Sequence, residues 1–340
     1  MTVTDDVLLN AIETSLFLLP EVPGRVEWLS VPGLQGRITP ASDLFANLVG
    51  AATLDAAQVD ETIRQVRDRF AAENKEFGWI VGPSSTPANL GSRLEAAGLE
   101  KVMELAGMVY THLDTPMRAN PAVQVREATA EDIEPASRLL APALHITPEA
   151  ARVVTEALLL GRGPIQTRVY LAFLEGVDGP VAYGSTIYVP HQPVVVLFCA
   201  ATLAEYQGKG VYTSLVARRL ADAHRDGAQA AVIQAVRTTA FPICRKLGFI
   251  EMCGLDWYAW FPDEEEVELA VQQDQPVVRS VRDPRQGWDE QFRMMAERGD
   301  DRLLDEPALN LIRWDAEEWE CGVSCSELQE GMGSCLRLKK

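Results

Sequence analysis

The sequence predicts an α/β (α+β) protein: two related units of mixed sheet flanked by helices, then an acidic, partly extended C-terminal arm. Three observations carry this. Strand-like apolar runs alternate with helical patterns through the first 262 residues. AATLDAAQVDETIRQVRDRF from Ala51 and AATLAEYQGKGVYTSLVARRL from Ala200 share AATL, a glutamine four residues after the leucine, and a helical pattern beyond it. The charge also shifts after Phe261-Pro262. Residues 263–340 hold 20 acids and 10 bases, a net of −10, and the preceding 262 residues carry only −8 of the total −18. The expected domains are therefore 1–115, 121–261 and 263–340, the repeat itself running over roughly 10–113 and 121–261.

In each unit the helix is followed by a short strand, GWIVG or AAVIQAV. A helix ending in a glycine and an apolar residue comes next, in SRLEAAGLEKV and in ICRKLGFIEMC. The second unit reads element by element. AVQVREA is a short alternating strand, and Thr129 is a candidate N-cap for a helix near 130–141. Thr147-Pro148-Glu149 supplies a cap, a proline at N1 and an acidic first turn for the next helix. VYLAFLEG, a GVDG turn and GPVAYGSTIYV form a hairpin that VVVLFCAATL continues. Tyr212, Leu215, Val216, Leu220 and Ala223 fall on one helical face, and Asp226-Gly227 ends that helix. AAVIQAV is a buried strand, and Pro242 opens a helix that stops at Gly248. The expected order is β-α-α-β-β-β-α-β-α.

The bulk properties narrow the function. A net charge of −18 disfavours nucleic acid as the main partner, because a phosphate backbone recruits Lys and Arg. No apolar run of about 18 residues occurs, so no membrane partner is expected. Asp5, Asp6 and Glu13 stand where a signal peptide would carry a basic region and an uninterrupted apolar core, so a cytoplasmic location is expected. Cys199, Cys244 and Cys253 lie singly in apolar contexts and read as reduced thiols. Cys321, Cys325 and Cys335 lack metal-ligand spacing and a nearby histidine, so no metal is expected.

The chemistry centres on Gln207-Gly208-Lys209-Gly210-Val211-Tyr212, after a strand and opening a helix. It matches neither a Walker loop nor a Rossmann fingerprint, which would need a glycine where Thr213 stands. Gly208 and Gly210 let backbone N–H groups turn outward, the helix N-terminus adds partial positive charge, and Lys209 adds a full one.

This stretch resembles the Gln/Arg-x-x-Gly-x-Gly/Ala signature of the GNAT superfamily of N-acetyltransferases, with Tyr212 where a small residue is usual. AFPICRKLGF at Ala240–Phe249 resembles the family's C-terminal motif. The resemblance covers about 121–261. It implies acetyl-CoA as cosubstrate and an amine, small molecule or lysine, as acceptor. The pyrophosphate would lie on the N–H groups of Gln207, Gly208, Lys209, Gly210, Val211, Tyr212 and Thr213. The pantetheine would lie along Cys199, Ala200, Ala201, Thr202 and Leu203, with the thioester in a gap between two splayed strands. The first unit resembles the degenerate half of tandem GNAT proteins. Its loop position reads Gln58-Val59-Asp60-Glu61-Thr62, which repels phosphate.

Acetylating an amine requires loss of its proton, a hydrogen-bond donor for the thioester carbonyl and a proton for the leaving thiolate. The donor role falls to a backbone N–H near Ala200 or Ala201. Cys244 occupies the position of the family's usual acidic tyrosine and is the candidate acid, with a small core residue as the other reading. Glu205, before the loop, and His191, in the turn VPHQPV, are candidate bases, each open also to a plain surface role. Tyr183, Tyr188, Trp257 and Tyr258 read as core or cleft wall.

Within the arm, Pro284-Arg285-Gln286-Gly287-Trp288, the acidic helix to Gly299 and Trp314–Glu320 resemble the C-terminal part of antitoxins of the AbrB/MazE class. That resemblance implies an RNase toxin as partner through residues 279–320. The basic half of a DNA-binding hairpin is absent, so operator binding is not carried over. A pseudoenzyme that binds CoA without turnover is the third reading.

Overall fold

Two βαβ crossovers, one in each half of the repeat, organise a single sheet. The structure is a computed structural model and describes residues 3–262. Helix α1 (Asp5–Thr14) leads into strands β1 (Glu27–Trp28), β2 (Gln35–Ile38) and β3 (Leu48–Gly50). Helix α2 (Val59–Ala71), β4 (Phe77–Val81), α3 (Leu90–Ala96) and β5 (Glu100–Tyr110) complete the first half. The second half runs β6 (Val123–Glu127), α4 (Ile133–Leu144), α5 (Pro148–Leu160), β7 (Gln166–Leu174), β8 (Ala182–Tyr188) and β9 (Val194–Thr202). It ends with α6 (Val211–Arg225), β10 (Ala230–Val236), α7 (Ala240–Lys246) and β11 (Ile250–Trp260).

The eleven strands lie in the order β1-β2-β3-β4-β11-β5-β10-β9-β8-β7-β6. Only the crossover pairs β3–β4 and β9–β10 are parallel; every other neighbouring pair is antiparallel. The halves trade their last strands. β5, from the first half, pairs with β10 of the second, and β11, from the second half, pairs with β4 of the first. The two traded strands pair with each other at the centre.

β5 and β11 are the strands that the sequence reading leaves out, and they correct the expected order, which stops at α7. β5 begins on exposed Glu100 and Lys101 and β11 on exposed Ile250 and Glu251, and register shifts at Glu251/Cys253 and Trp257/Tyr258 break the alternation of β11. A period-two pattern cannot be read through such breaks. Two helix starts also move. Thr129 and Asp132 form a reciprocal capping box around a 3-10 turn, Ala130–Asp132, so α4 starts at Ile133. α7 starts at Ala240, two residues before Pro242. At α5 the signal is realised as written, with Thr147 Oγ1 accepting from Ala150 N at 3.1 Å and Pro148 at N1.

Residues on one face of the sheet pack with α1, α4 and α5 in the largest apolar cluster. The opposite face of the second half packs on α6 and α7 through Val195, Leu197, Val216, Leu220, Ala231 and Phe249. Arg37 of β2 is fully buried and donates to the carbonyls of Leu16, Phe45 and Ala46, fastening the first half without a carboxylate. Burial lowers its guanidinium to about 10. No helix among the described residues is long and apolar enough to cross a membrane. The readings made on residues 263–340 (the acidic arm, its toxin-binding segment, and Cys321, Cys325 and Cys335) lie outside the described residues.

Candidate active site

The site is built where β9 leaves its neighbour. β9 and β10 are in register at Val194–Ala230, Val195–Ala231 and Val196–Val232, and there the pairing stops. β10 continues to Val236 on the support of β5, and β9 continues to Thr202 on the support of β8. Past Val196 the β9 edge that faces β10 therefore has no partner strand among the described residues. Along the unpaired stretch β9 carries a bulge against β8. Ser185 pairs with Phe198 and Gly184 with Ala200, so Cys199 is the extra residue, with φ of 35°.

After Thr202 a 3-10 turn, Ala204–Tyr206, delivers the chain to the loop that opens α6. Gly208 and Gly210 take φ of 72° and 67°, a region costly for any residue with a side chain. Gly210 is the N-cap of α6; no side chain caps that helix, and no acid occupies its first turn. The first N–H groups of a fifteen-residue helix thus remain for an external anion.

The loop is tied at several points. Gln207 Nε2 donates to Thr202 O at 3.2 Å, and Asn120 Nδ2 donates to Lys209 O at 2.9 Å. Ser214 Oγ accepts from Asn120 N and donates to Gly210 O, both at 2.9 Å. Lys209 Nζ lies 5.1 Å from the Tyr206 ring centroid, which keeps its charge beside the loop. Sequence reasoning passed over Asn120 and Ser214. Asn120-Pro121, in the connection between the halves, was the available signal.

The first half shows the same frame with the site removed. Gln58, the counterpart of Gln207, is itself the N-cap of α2, so Val59, Asp60 and Glu61 form helical turn where the second half has its glycine loop. The strand edge is also used up. Thr53 pairs with Thr86, Leu54 N donates to Thr86 O at 3.2 Å, and Thr86 N donates to Ala52 O at 2.9 Å.

The candidate catalytic residues separate. Cys244, on α7, is buried and lies 3.6 Å from the hydroxyl of Tyr212, on the first turn of α6. Burial, and then the neighbouring Cys244, pushes the Tyr212 hydroxyl well above the usual phenol range. Burial also raises the Cys244 thiol. Glu205 is exposed in the 3-10 turn beside the loop. His191 is exposed in the β8–β9 turn at φ of 61°, before the first residue of β9. The nine residues of that strand, about 30 Å by their rise, lie between His191 and the loop. An open cavity of about 600 Å³ lies at that far end, where Arg168, Tyr188 and Asp226 are paired with one another. Cys199 stands at the bulge, where burial holds its thiol up at about 12 against the pull of Arg37 and Arg219. It is a neutral thiol there. Among the described residues no group of three or more His, Cys, Asp or Glu could hold a metal.

No protein family and no curated protein matches the sequence, so the antitoxin-like resemblance of the arm gains no support. Solved structures do match. A GCN5-related N-acetyltransferase from Kribbella flavida is 20% identical, covers 72% of this chain and 92% of its own, and superposes with a TM-score of 0.56. A functionally unknown conserved protein from Staphylococcus epidermidis is 12% identical, covers 70% of this chain and 95% of its own, and gives 0.53. The likeness shows the fold: a GNAT-like mixed sheet flanked by helices.

Proposed function

We propose that the second half is an acetyl-CoA-dependent N-acetyltransferase, in which an amine attacks the thioester directly. The carrying observation is the pairing of two features at one end of β9. A strand edge is left without a partner past Val196, and next to it an uncapped helix N-terminus opens on Gly208 and Gly210. A diphosphate needs the second feature, and an amide-bearing pantetheine chain, docking as an added strand, needs the first. The buried Thr202 Oγ1 has no hydrogen-bond partner among the described residues, which fits a polar ligand along Cys199–Leu203.

When bound, acetyl-CoA supplies an activated acyl group. The chain's own residues do the rest. The N–H groups of Val211, Tyr212 and Thr213, with the Lys209 ammonium nearby, hold the phosphates. The bulge leaves Cys199 without a partner on β8, the edge facing β10 is open past Val196, and one N–H at Cys199–Ala201 polarises the carbonyl. Tyr212 and Cys244 stay protonated at neutral pH and form the proton source for the departing thiolate, with Cys244 on the helix where the family places its tyrosine. Glu205, exposed beside the loop, is the base within reach of this end of β9; His191 is not.

A second reading, CoA binding without turnover, is favoured by α1. That helix packs against β9 and β10, and Gln234, beyond the last residue of β10 that pairs with β9, donates to Ile12 O and Ser15 Oγ, both at 2.6 Å. One face of the gap is thereby roofed. Thiol release from acetyl-CoA over a panel of primary amines separates the two. Turnover with any amine supports the transferase, and binding with no release from any of them leaves CoA binding without turnover.

A further inference from the structure

The guanidinium of Arg219 ties the bulge to α6, the helix that the glycine loop opens. Arg219 lies on α6, eight residues or about 12 Å beyond Val211, and is fully buried. Its Nε donates to Thr186 Oγ1 at 3.2 Å, and its Nη2 donates to Phe198 O at 3.1 Å and also to Ser185 O. Ser185 Oγ donates to the same Phe198 carbonyl at 2.8 Å. These acceptors lie beside the register shift at Gly184/Ser185, on both of the strands that pair across it. The neighbouring glycine makes room, since a Cβ at Gly184 would stand 2.4 Å from Leu215 Cδ2 and 3.2 Å from Arg219 Nη1.

No carboxylate bonds to this cation. A buried guanidinium without one is costly, and its Nη1 has no partner among the described residues. An apolar residue here would pack α6 on the sheet at lower cost. The cation instead spans two strands, with donors fixed in one plane, on the helix whose first turn opens the loop.

We propose that Arg219 is a positioning residue for the acyl group: it locks the β9 bulge to α6, so that the backbone at Cys199–Ala201 keeps a fixed distance from the loop at Gly208–Thr213. The proposal rests on the acyl-CoA reading above. Small displacements of a positioned group cost as much as about 100-fold in rate. The lock therefore governs the carbonyl end of the ligand and leaves the phosphate end almost untouched.

The test compares wild type with Arg219→Lys in the full chain, using CoA and acetyl-CoA labelled with ¹³C at the thioester carbonyl. Lysine keeps the charge and cannot bridge the three acceptors. CoA affinity by calorimetry should stay within about threefold of wild type. The carbonyl resonance, displaced in the wild-type complex, should return toward its free position in the variant. An unchanged displacement in Arg219→Lys overturns the proposal and leaves the acyl-CoA reading standing. No CoA binding by the wild type overturns both. If Arg219→Lys fails to fold, Thr186→Val removes only the acceptor for Nε and carries the same readout, where an unchanged displacement again refutes the lock.

Discussion

The Tyr212 hydroxyl, on the first turn of α6, lies 3.6 Å from the Cys244 sulfur on α7. The resemblance would put a phenol on α7; the phenol at this point stands on α6. Tyr212 is also the residue that departs from the small amino acid usual at the end of the glycine loop. The two departures from that pattern thus meet at one place. Had Cys244 been a tyrosine as well, two rings would compete for the space.

The first prediction follows from that contact. Tyr212→Phe should slow thiol release with an amine acceptor by about 100-fold, the usual weight of a positioned acid, with the KM for acetyl-CoA changed less than twofold. Cys244→Ala should cost less. The double variant Tyr212→Ala/Cys244→Tyr, which returns the phenol to α7, should recover most of the rate. Since burial raises both groups, neither should produce a basic limb below about pH 9 in the rate profile. Equal rates for Tyr212→Phe and wild type would remove the acid role.

The second concerns stoichiometry. The first half has lost its loop to the first turn of α2 and its strand edge to Thr86. The chain should bind one CoA. Replacing Val59, Asp60 and Glu61 by Gly, Lys and Gly restores the loop sequence and leaves the edge closed, so calorimetry should still count one site. A second site in that variant would show that the carboxylates alone disable the first half.

The third is a matter of acid stability. Arg126, held at 2.8 Å, keeps the Asp132 carboxyl down at about 2, and Thr129 N adds to this at 2.8 Å. A depressed carboxyl stabilises the fold above its unfolded value near 3.9, and that contribution is lost as pH falls through about 2. With solvent screening on the arginine side it amounts to about 1–2 kcal/mol. Asp132→Asn should therefore be less stable than wild type to urea at pH 6, and the gap should close by pH 2. A gap independent of pH would mean that the capping geometry, and not the charge, is what counts.

Much of this was legible in the sequence because it was local. The glycines of the loop, the cap at Thr147 and the apolar face of α6 depend on neighbours within a turn or two. The splay itself was expected only through resemblance, since no spacing in VVVLFCAATL says where a partner strand stops. The traded strands were illegible for a related reason. β5 and β11 are each half exposed and broken in alternation, and each finds its partners in the other half. Arg219 had the sequence signature of a solvated helix charge, since it sits beside Arg218 and outside the apolar face that Leu215, Val216, Leu220 and Ala223 mark. Only the fold shows that it points into the bulge. His191 read as neighbour to the cleft strand, which holds along the chain and fails along the length of β9.

The central claim is that the bare first turn of α6 holds the phosphates of acyl-CoA, and Thr213→Glu tests it most directly. A carboxylate in that turn favours the helix itself, through the helix dipole, and opposes a bound anion. Calorimetry with CoA at low salt, paired with thermal melting of the free protein, reads both effects. The account predicts that wild type binds one CoA, and that the variant binds it at least tenfold more weakly, about 1.4 kcal/mol, while melting no lower than wild type. Equal affinities in the two proteins, or no binding by the wild type, would contradict it.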